Sequence, residues 1–350
     1  MRLCAEAKPE VEAGGKQEDH LPVEKRSPAE HEKKKMIEAY LLFLVIALGL
    51  TVTEFRACQG LNSKIIGNGW GALAHVVNKT ALRPARHRPL IPWLTFGLFK
   101  KRPKLVLLSY LLIKLGSNFI GPFSTYFYIY QVLGVHSPAL LGGLIVACLM
   151  AGSYVYDYPD AGWEIAFAFL TYLAFPLHIL PLLAVAFIWA LMRETALYAV
   201  IIVWTYTGVF LSCAPQLWPA PIMCCIGVLV SVWAARLTIL AIQGEAAHYM
   251  DQLMGTRIPL KMNLAEFRAS FSAWERWPVS PLAAFVVWMV AFVGIIAVGL
   301  ADSMLWGIYA VPAAVMIVAG LTFGKWAEIR VFLTPAAILV AVEIIRHYKP

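Results

Sequence analysis

The chain has 350 residues, of which 60% are hydrophobic and 14% are charged, and its mean hydropathy is +0.69. A soluble domain of this length cannot expose so much apolar surface, so the composition excludes a soluble globular protein and predicts a polytopic helical membrane protein. The formal net charge of +8 suits an anionic membrane lipid better than nucleic acid, because no soluble segment is large enough to present a basic face.

The N-terminal residues 1–35 are rich in Glu, Lys and Pro and contain few large apolar side chains. Such a segment cannot bury enough surface to offset chain entropy, so we predict a disordered cytoplasmic tail. Three lysines end the tail directly before the apolar run 36–53. The positive-inside rule therefore predicts an uncleaved first span that enters from the cytoplasm, followed by a transmembrane domain over 36–350.

The segment 54–104 is polar, basic and rich in Gly and Pro, and we predict that it is an external loop. Within it, the apolar stretch 89–99 is about half the length that a spanning helix needs, which favours an amphipathic helix at the interface. A second external loop is predicted at 243–280. Further spans are predicted at 105–130, 138–155, 162–175, 178–192, 195–212, 220–242, 281–300, 303–322 and 331–346, which makes about ten in all.

Counting crossings from a cytoplasmic N-terminus places the polar turns together. The loop 54–104, the turns near 157 and 193, the loop 243–280 and the turn 325–330 all fall on the non-cytoplasmic side. The hairpins on the other side carry almost no charge. The sequence therefore predicts that one membrane face collects most of the polar chemistry.

Asp157 and Asp160 flank Pro159 where a predicted span leaves the membrane. The simpler interpretation is a helix end followed by an N-cap for the next helix. The functional interpretation is a carboxylate beside Tyr156 or Tyr158 at the mouth of a cavity, where these groups could bind a divalent cation or sugar hydroxyls. A charge in hydrocarbon costs about 2.5–3.5 kcal/mol on insertion scales, so ionisable groups set between apolar runs are rarely accidental.

Arg193 and Glu194 lie between two apolar runs and are interpreted either as a mutually neutralising structural pair or as a site in which the guanidinium binds phosphate. Glu328 and Arg330 open the last span. They are either part of an interfacial anchor or a second set of substrate contacts.

The basic run before the second span contains Arg86 and Arg88, and Glu54 ends the first span. The two arginines either attach the chain to anionic head groups or attract a lipid phosphate to an entry site. Glu54 is either a solvated carboxylate at a helix end or a catalytic group. The histidines and cysteines show no ligand spacing, so no metal-ligating residues are predicted.

Four runs of sequence together resemble a known family. They are RPARHRPLIPW at 83–93, YDYP at 156–159, RET at 193–195 and EIRVF at 328–332. In this order they are similar to bacterial polytopic membrane proteins of the GT-C-like glycosyltransferase superfamily, many of which are uncharacterised. The resemblance extends from about residue 83 to the C-terminus.

The resemblance implies an all-α GT-C-like fold and transfer of a sugar from a polyprenyl-phosphate donor on the non-cytoplasmic face. It also implies a carboxylate in the first external loop, acting as general base or as a ligand of a divalent cation such as Mg or Mn. Glu54 is the only carboxylate of that loop. Two other classes stay open: a transporter or flippase for an anionic or lipid-linked substrate, and a non-catalytic membrane subunit.

The predicted site consists of two candidate catalytic carboxylates, Glu54 and Asp157, and a set of candidate substrate contacts. Those contacts are Tyr156, Tyr158, Arg193, Glu194, Glu328, Arg330, Arg86 and Arg88.

Overall fold

A computed structural model describes residues 28–57, 77, 89–99, 102–151, 160–175, 178–213, 219–243, 293–294, 306–323 and 332–348. Every regular element in these ranges is helical, which confirms the all-α class. The main helices are α1 Pro28–Ala57, α2 Pro103–Leu133, α3 His136–Ala151, α4 Ala161–Ala174, α5 Ile179–Met192, α6 Leu197–Cys213, α7 Pro219–Gln243, α8 Val311–Phe323 and α9 Leu333–Tyr348.

The predicted apolar runs coincide with these helices to within a few residues, apart from the earlier start of α1. The run 281–300 lies almost wholly outside the described residues. Three of the described helices are long and apolar enough to cross a membrane: Glu32–Phe55, Lys104–Leu133 and Pro219–Ile242. The others are shorter. Since α4 and α5 have 14 residues each, each is about 21 Å long, less than a hydrocarbon core of about 30 Å.

The first helix begins earlier than the sequence predicts. It starts at Pro28, so residues 28–35 are helical, although the predicted tail extends to residue 35. Lys34 and Glu38 form an exposed ion pair at 3.8 Å on this first part. Glu and Lys are good helix formers, and a helix already nucleated by the apolar run extends through them at little cost. Residues 1–27 lie outside the described residues.

The stretch 89–99 is helical, as predicted, but irregular. It consists of Leu90–Pro92 and a π-helical turn, Trp93–Gly97. Thr95 is fully buried and its hydroxyl donates to the carbonyl oxygen of Ile91 at 2.9 Å. The stretch packs against α2 and α5. It therefore fixes the chain at the end of the bundle where α2 begins.

Contacts between side chains give the directions of the helices. Residues 54, 51 and 43 of α1 contact residues 114, 118 and 126 of α2 in opposite sequence order, so α1 and α2 are antiparallel. Ser117 and Tyr128 of α2 contact Gly162 and Phe169 of α4, so these two helices are parallel. The pairs 164–193 and 167–189 make α4 and α5 antiparallel.

It follows that Glu54, Asp160 and Arg193 lie at one end of the bundle, which we call the polar end. This placement agrees with the crossing count for these three positions. The opposite end of α2 is closed by Gly134, whose φ of 69° allows the tight turn into α3. Glycine adopts this left-handed conformation without the steric cost that other residues meet.

The centre of the bundle is apolar and aromatic. Residues 333–342 of α9 are all buried, and alanines along this helix let its neighbours approach closely. Beside it, the hydroxyls of Tyr128 and Tyr309 lie 2.5 Å apart, and the Tyr172 hydroxyl donates to the carbonyl oxygen of Ile308 at 3.1 Å. These buried hydroxyls are thus hydrogen-bonded, as polar groups in a dry interior must be.

Candidate functional site

Two groups of buried ionisable side chains lie at the polar end. We call the first, formed by Thr51, Glu54, Lys114 and Asn118, the Glu54 cluster. We call the second, formed by Asp160, Glu164, Trp189, Arg193 and Thr195, the Arg193 cluster.

The Glu54 cluster joins α1 to α2. The Lys114 ammonium nitrogen lies 3.4 Å from Glu54 Oε2, and Asn118 Nδ2 donates to the same oxygen at 2.9 Å. Asn118 Nδ2 also lies 3.1 Å from Thr51 Oγ1. Glu54 is 6% exposed and Lys114 is 4% exposed, so both charges are almost wholly removed from solvent by the protein itself.

The continuous helix α2 lacks one backbone hydrogen bond beside this cluster. Pro122 lies inside α2, and a proline has no N–H with which to reach the carbonyl of Asn118 four residues earlier. One turn of α2 at the cluster therefore lacks its ordinary helical hydrogen bond. Gly143 of α3 packs against this turn, where an added Cβ would lie 2.9 Å from the Pro122 carbonyl oxygen.

The Arg193 cluster joins α4 to the turn between α5 and α6. Arg193 Nη1 lies 2.9 Å from Glu164 Oε1 and 3.4 Å from Asp160 Oδ2. The Thr195 hydroxyl donates to Glu164 Oε1 at 2.9 Å, and Trp189 Nε1 donates to that hydroxyl at 3.3 Å. Arg193 is 3% exposed, so its guanidinium is enclosed together with both carboxylates.

A close contact between α2 and α4 separates the two clusters. The Gly162 amide donates to Ser117 Oγ at 3.0 Å, and Trp163 Nε1 donates to the Ile113 carbonyl oxygen at 3.2 Å. A Cβ on Gly162 would lie 1.8 Å from the Ser117 carbonyl oxygen. The clusters therefore occupy adjoining turns of two helices that only a glycine allows to pack this closely.

The structure describes two of the predicted site side chains, Glu54 and Arg193. They lie at the same end of the bundle but in different clusters, each with its own oppositely charged partners. Glu194 lies in the short 3-10 turn Glu194–Ala196, and its side chain is outside the description. Also outside the described residues are Tyr156, Asp157, Tyr158, Arg86, Arg88, Glu328 and Arg330.

Two interpretations of local sequence can be compared with the described geometry. Asp160 occupies the N-cap position of α4, but its side chain makes no capping hydrogen bond and pairs with Arg193 instead. One interpretation paired Arg193 with Glu194, whose side chain lies outside the described residues, and the contacts that the structure describes for Arg193 are with Asp160 and Glu164. Carboxylates more than twenty residues away in sequence thus balance its charge.

Sequence reasoning did not select Lys114, Asn118 or Glu164. A signal for the first two exists, because Lys114 is the only Lys, Arg, Asp or Glu of α2 after Lys104 and Asn118 follows it by one helical turn. Side chains four residues apart share one face of a helix. A polar pair on one face of an otherwise apolar helix indicates a partner in the protein interior.

A divalent cation does not fit the described carboxylates. Glu54 lies beside an ammonium, and Asp160 and Glu164 lie beside a guanidinium, so a bound cation would be repelled by a fixed positive charge in each case. No group of three or more His, Cys, Asp or Glu side chains suited to a metal is found among the residues that the structure describes. The chemistry that these residues can perform is proton transfer by a carboxylate and binding of an anion by an ammonium.

Comparison with known proteins finds no family model, no curated protein and no solved structure that matches this chain.

Proposed function

We propose that the protein is a membrane-embedded transferase that takes a sugar from a polyprenyl-phosphate carrier, with Glu54 as the proton-accepting group. The observation that carries the proposal is the burial of Glu54 at the end of α1, in contact with Lys114 and Asn118. Burying a charge pair between apolar helices recovers its desolvation cost poorly, so a pair retained there invites a functional explanation.

The depth of the cluster supports this proposal. The part of α2 from Lys114 to its end at Leu133 spans about 28 Å, close to the thickness of a hydrocarbon core of about 30 Å. If Leu133 lies near one membrane surface, Lys114 and Glu54 lie near the other. That boundary is where the phosphate of a lipid carrier resides, while its polyprenyl chain stays in hydrocarbon.

The proposal gives the remaining residues the following roles. Glu54 accepts a proton from the acceptor hydroxyl, whose oxygen bonds to the anomeric carbon of the sugar while the bond from that carbon to the carrier phosphate breaks and polyprenyl phosphate leaves. The Arg193 cluster holds α4 against the α5–α6 turn beside it. Asp157, with Tyr156 and Tyr158, would line the mouth of the site. A layout of about ten spans with a cytoplasmic N-terminus in a bacterial inner membrane, GT-C-like in fold, belongs to the same proposal.

The test is transfer by purified protein in proteoliposomes supplied with radiolabelled polyprenyl-phosphate hexoses. Replacing Glu54 with Gln keeps the hydrogen bond from Asn118 but removes the base, and we expect the rate to fall about 100-fold or more. Glu38→Gln is the matched control, because Glu38 is an exposed carboxylate on the same helix. Transfer by the Glu54→Gln variant at the wild-type rate would overturn the assignment.

A transporter or flippase is the second candidate, and one observation favours it. The Glu54–Lys114 pair is held between two of the helices long enough to span a membrane, where a buried pair can open and close with a passing substrate. Saturable movement of the lipid-linked sugar across the vesicle, with no new covalent bond, would favour transport over transfer.

A further inference from the structure

Lys114 and Arg193 are buried cations of the polar end in the part of the chain that the structure describes, and they differ in their surroundings. Arg193 Nη1 lies between two carboxylate oxygens, at 2.9 Å and 3.4 Å. An anion approaching this guanidinium would meet two negative charges at close range in a medium of low dielectric constant. Arg193 is therefore poorly placed to bind a phosphate, although its side-chain type suits one.

The described contacts of Lys114 differ from those of Arg193. Its ammonium lies 3.4 Å from Glu54 Oε2, beyond the range of about 2.7–2.9 Å that charge-assisted hydrogen bonds usually show. The same oxygen accepts a hydrogen bond from Asn118 at 2.9 Å. Glu54 therefore keeps a hydrogen-bond donor when the ammonium moves away.

The lysine side chain is suited to such movement. It carries a compact charge with three donors on a flexible four-carbon stem, whereas the arginine fork is rigid and planar. The Asn118 amide, one turn along α2, lies on the same face of the helix and bridges Glu54 and Thr51. It can hold α1 and α2 together while Lys114 changes partner.

We propose that Lys114 binds the anionic phosphate group of the substrate by exchanging its contact with Glu54 for one with the phosphate. The inference rests on the proposed function and names the residue that would recognise its phosphate ester. Once the ammonium pairs with phosphate, the positive charge that lies 3.4 Å from Glu54 Oε2 is shared with the phosphate, and the carboxylate becomes a more available proton acceptor. Substrate binding and activation of the base are then one event.

The binding experiment uses the full chain in detergent, radiolabelled farnesyl phosphate as the probe and equilibrium dialysis as the measurement. Farnesol is the neutral counterpart and should bind about tenfold or more weakly, because it lacks the charge that Lys114 recognises. Competition by inorganic phosphate at the same concentration as farnesyl phosphate would identify free phosphate as the natural ligand. Competition by farnesyl phosphate alone would identify a lipid head group.

Three variants separate binding from folding. Glu54→Gln removes the competing carboxylate, so we expect farnesyl phosphate to bind about threefold to tenfold more tightly. The doubly neutral Glu54→Gln/Lys114→Gln leaves no unpaired charge and should bind about thirtyfold or more weakly than Glu54→Gln. Lys104→Gln is the matched control, because Lys104 is an exposed cation at the start of the same helix, and its affinity should equal that of the wild type.

Wild-type affinity in the doubly neutral variant, or weaker binding by Glu54→Gln, would overturn the role of Lys114. These outcomes are distinct from failure of the proposed function. A protein that binds farnesyl phosphate through Lys114 but transfers no sugar would refute the transferase alone. A protein that transfers sugar while all three variants bind alike would refute the partner exchange alone.

Discussion

The two clusters of the polar end place their charges differently with respect to the helix dipoles. In the Arg193 cluster, Asp160 precedes α4 and Glu164 lies in its first turn, while Arg193 follows the last residue of α5. Anions at a helix N-terminus and a cation at a C-terminus are each stabilised by about 0.3–1 kcal/mol. All three charges of this cluster are therefore favourably placed.

The helix dipoles do not stabilise the charges of the Glu54 cluster in this way. Glu54 lies in the last turn of α1, where the carbonyl end of the helix disfavours an anion. Lys114 lies far from either end of α2. The comparison teaches that a buried charge points to function only where the helix ends do not account for it. The Arg193 cluster has the layout of a structural clamp, whereas the helix dipoles do not account for the charges of the Glu54 cluster.

Removing the clamp should have the largest effect on stability. Arg193→Leu leaves Asp160 and Glu164 buried without their guanidinium, and breaking a buried pair in this way costs about 3–5 kcal/mol. We expect the variant to lose most of its folded population. Thermal unfolding in detergent, followed by circular dichroism, measures the loss. A melting temperature equal to that of the wild type would show that the cluster is not a clamp.

Separating α2 from α4 should have the next largest effect on stability, because their close contact lies between the two clusters. Gly162→Ala would place a Cβ 1.8 Å from the Ser117 carbonyl oxygen, and overpacking against backbone costs about 1–3 kcal/mol or more. Gly208→Ala is the matched control, since nothing lies within 4 Å of its added Cβ. We expect the control to be neutral or stabilising, as alanine favours a helix over glycine. Equal melting temperatures for the two variants would contradict the close crossing.

Removing one hydrogen-bonding hydroxyl from the Arg193 cluster, with all its charges kept, should have the smallest effect on stability. Thr195→Val removes the hydroxyl that donates to Glu164 and accepts from Trp189, a loss of about 1–2 kcal/mol. Thr205→Val is the control, because the Thr205 hydroxyl bonds only to carbonyls of its own helix in the described contacts. Sugar transfer by folded Thr195→Val should match the wild type. A large fall in the transfer rate of this variant would show that the Arg193 cluster contributes to the substrate site.

Hydrophobic periodicity and run length predicted the helices well, because the positions of apolar runs are local properties of the sequence. The start of α1 was missed since Glu and Lys can extend a helix that an apolar run has nucleated. The polar end followed from counting crossings. The ion partners could not be predicted in this way, because the approach of Glu164 to Arg193 depends on how α4 packs against α5.

Glu54 is a second example of a residue whose partners could not be predicted from local sequence. Its position at the end of the first apolar run was evident from the sequence, but its burial depends on α2 presenting Lys114 and Asn118 to it. Lys114 and Asn118 on one face of an apolar helix indicate that a partner exists, but they do not identify it. Pairing between elements distant in sequence is a tertiary property that no local pattern contains.

The most direct test of the account is the sugar-transfer rate of the doubly neutral Glu54→Gln/Lys114→Gln variant, measured on folded protein. The costly change at a buried ion pair is removal of one partner, which leaves the other charge uncompensated, and this variant removes both charges together, so it should melt near the wild-type temperature. We predict that it nevertheless transfers sugar about 100-fold or more slowly. A folded variant that transfers at the wild-type rate would show that the Glu54 cluster, like the Arg193 cluster, only holds helices together.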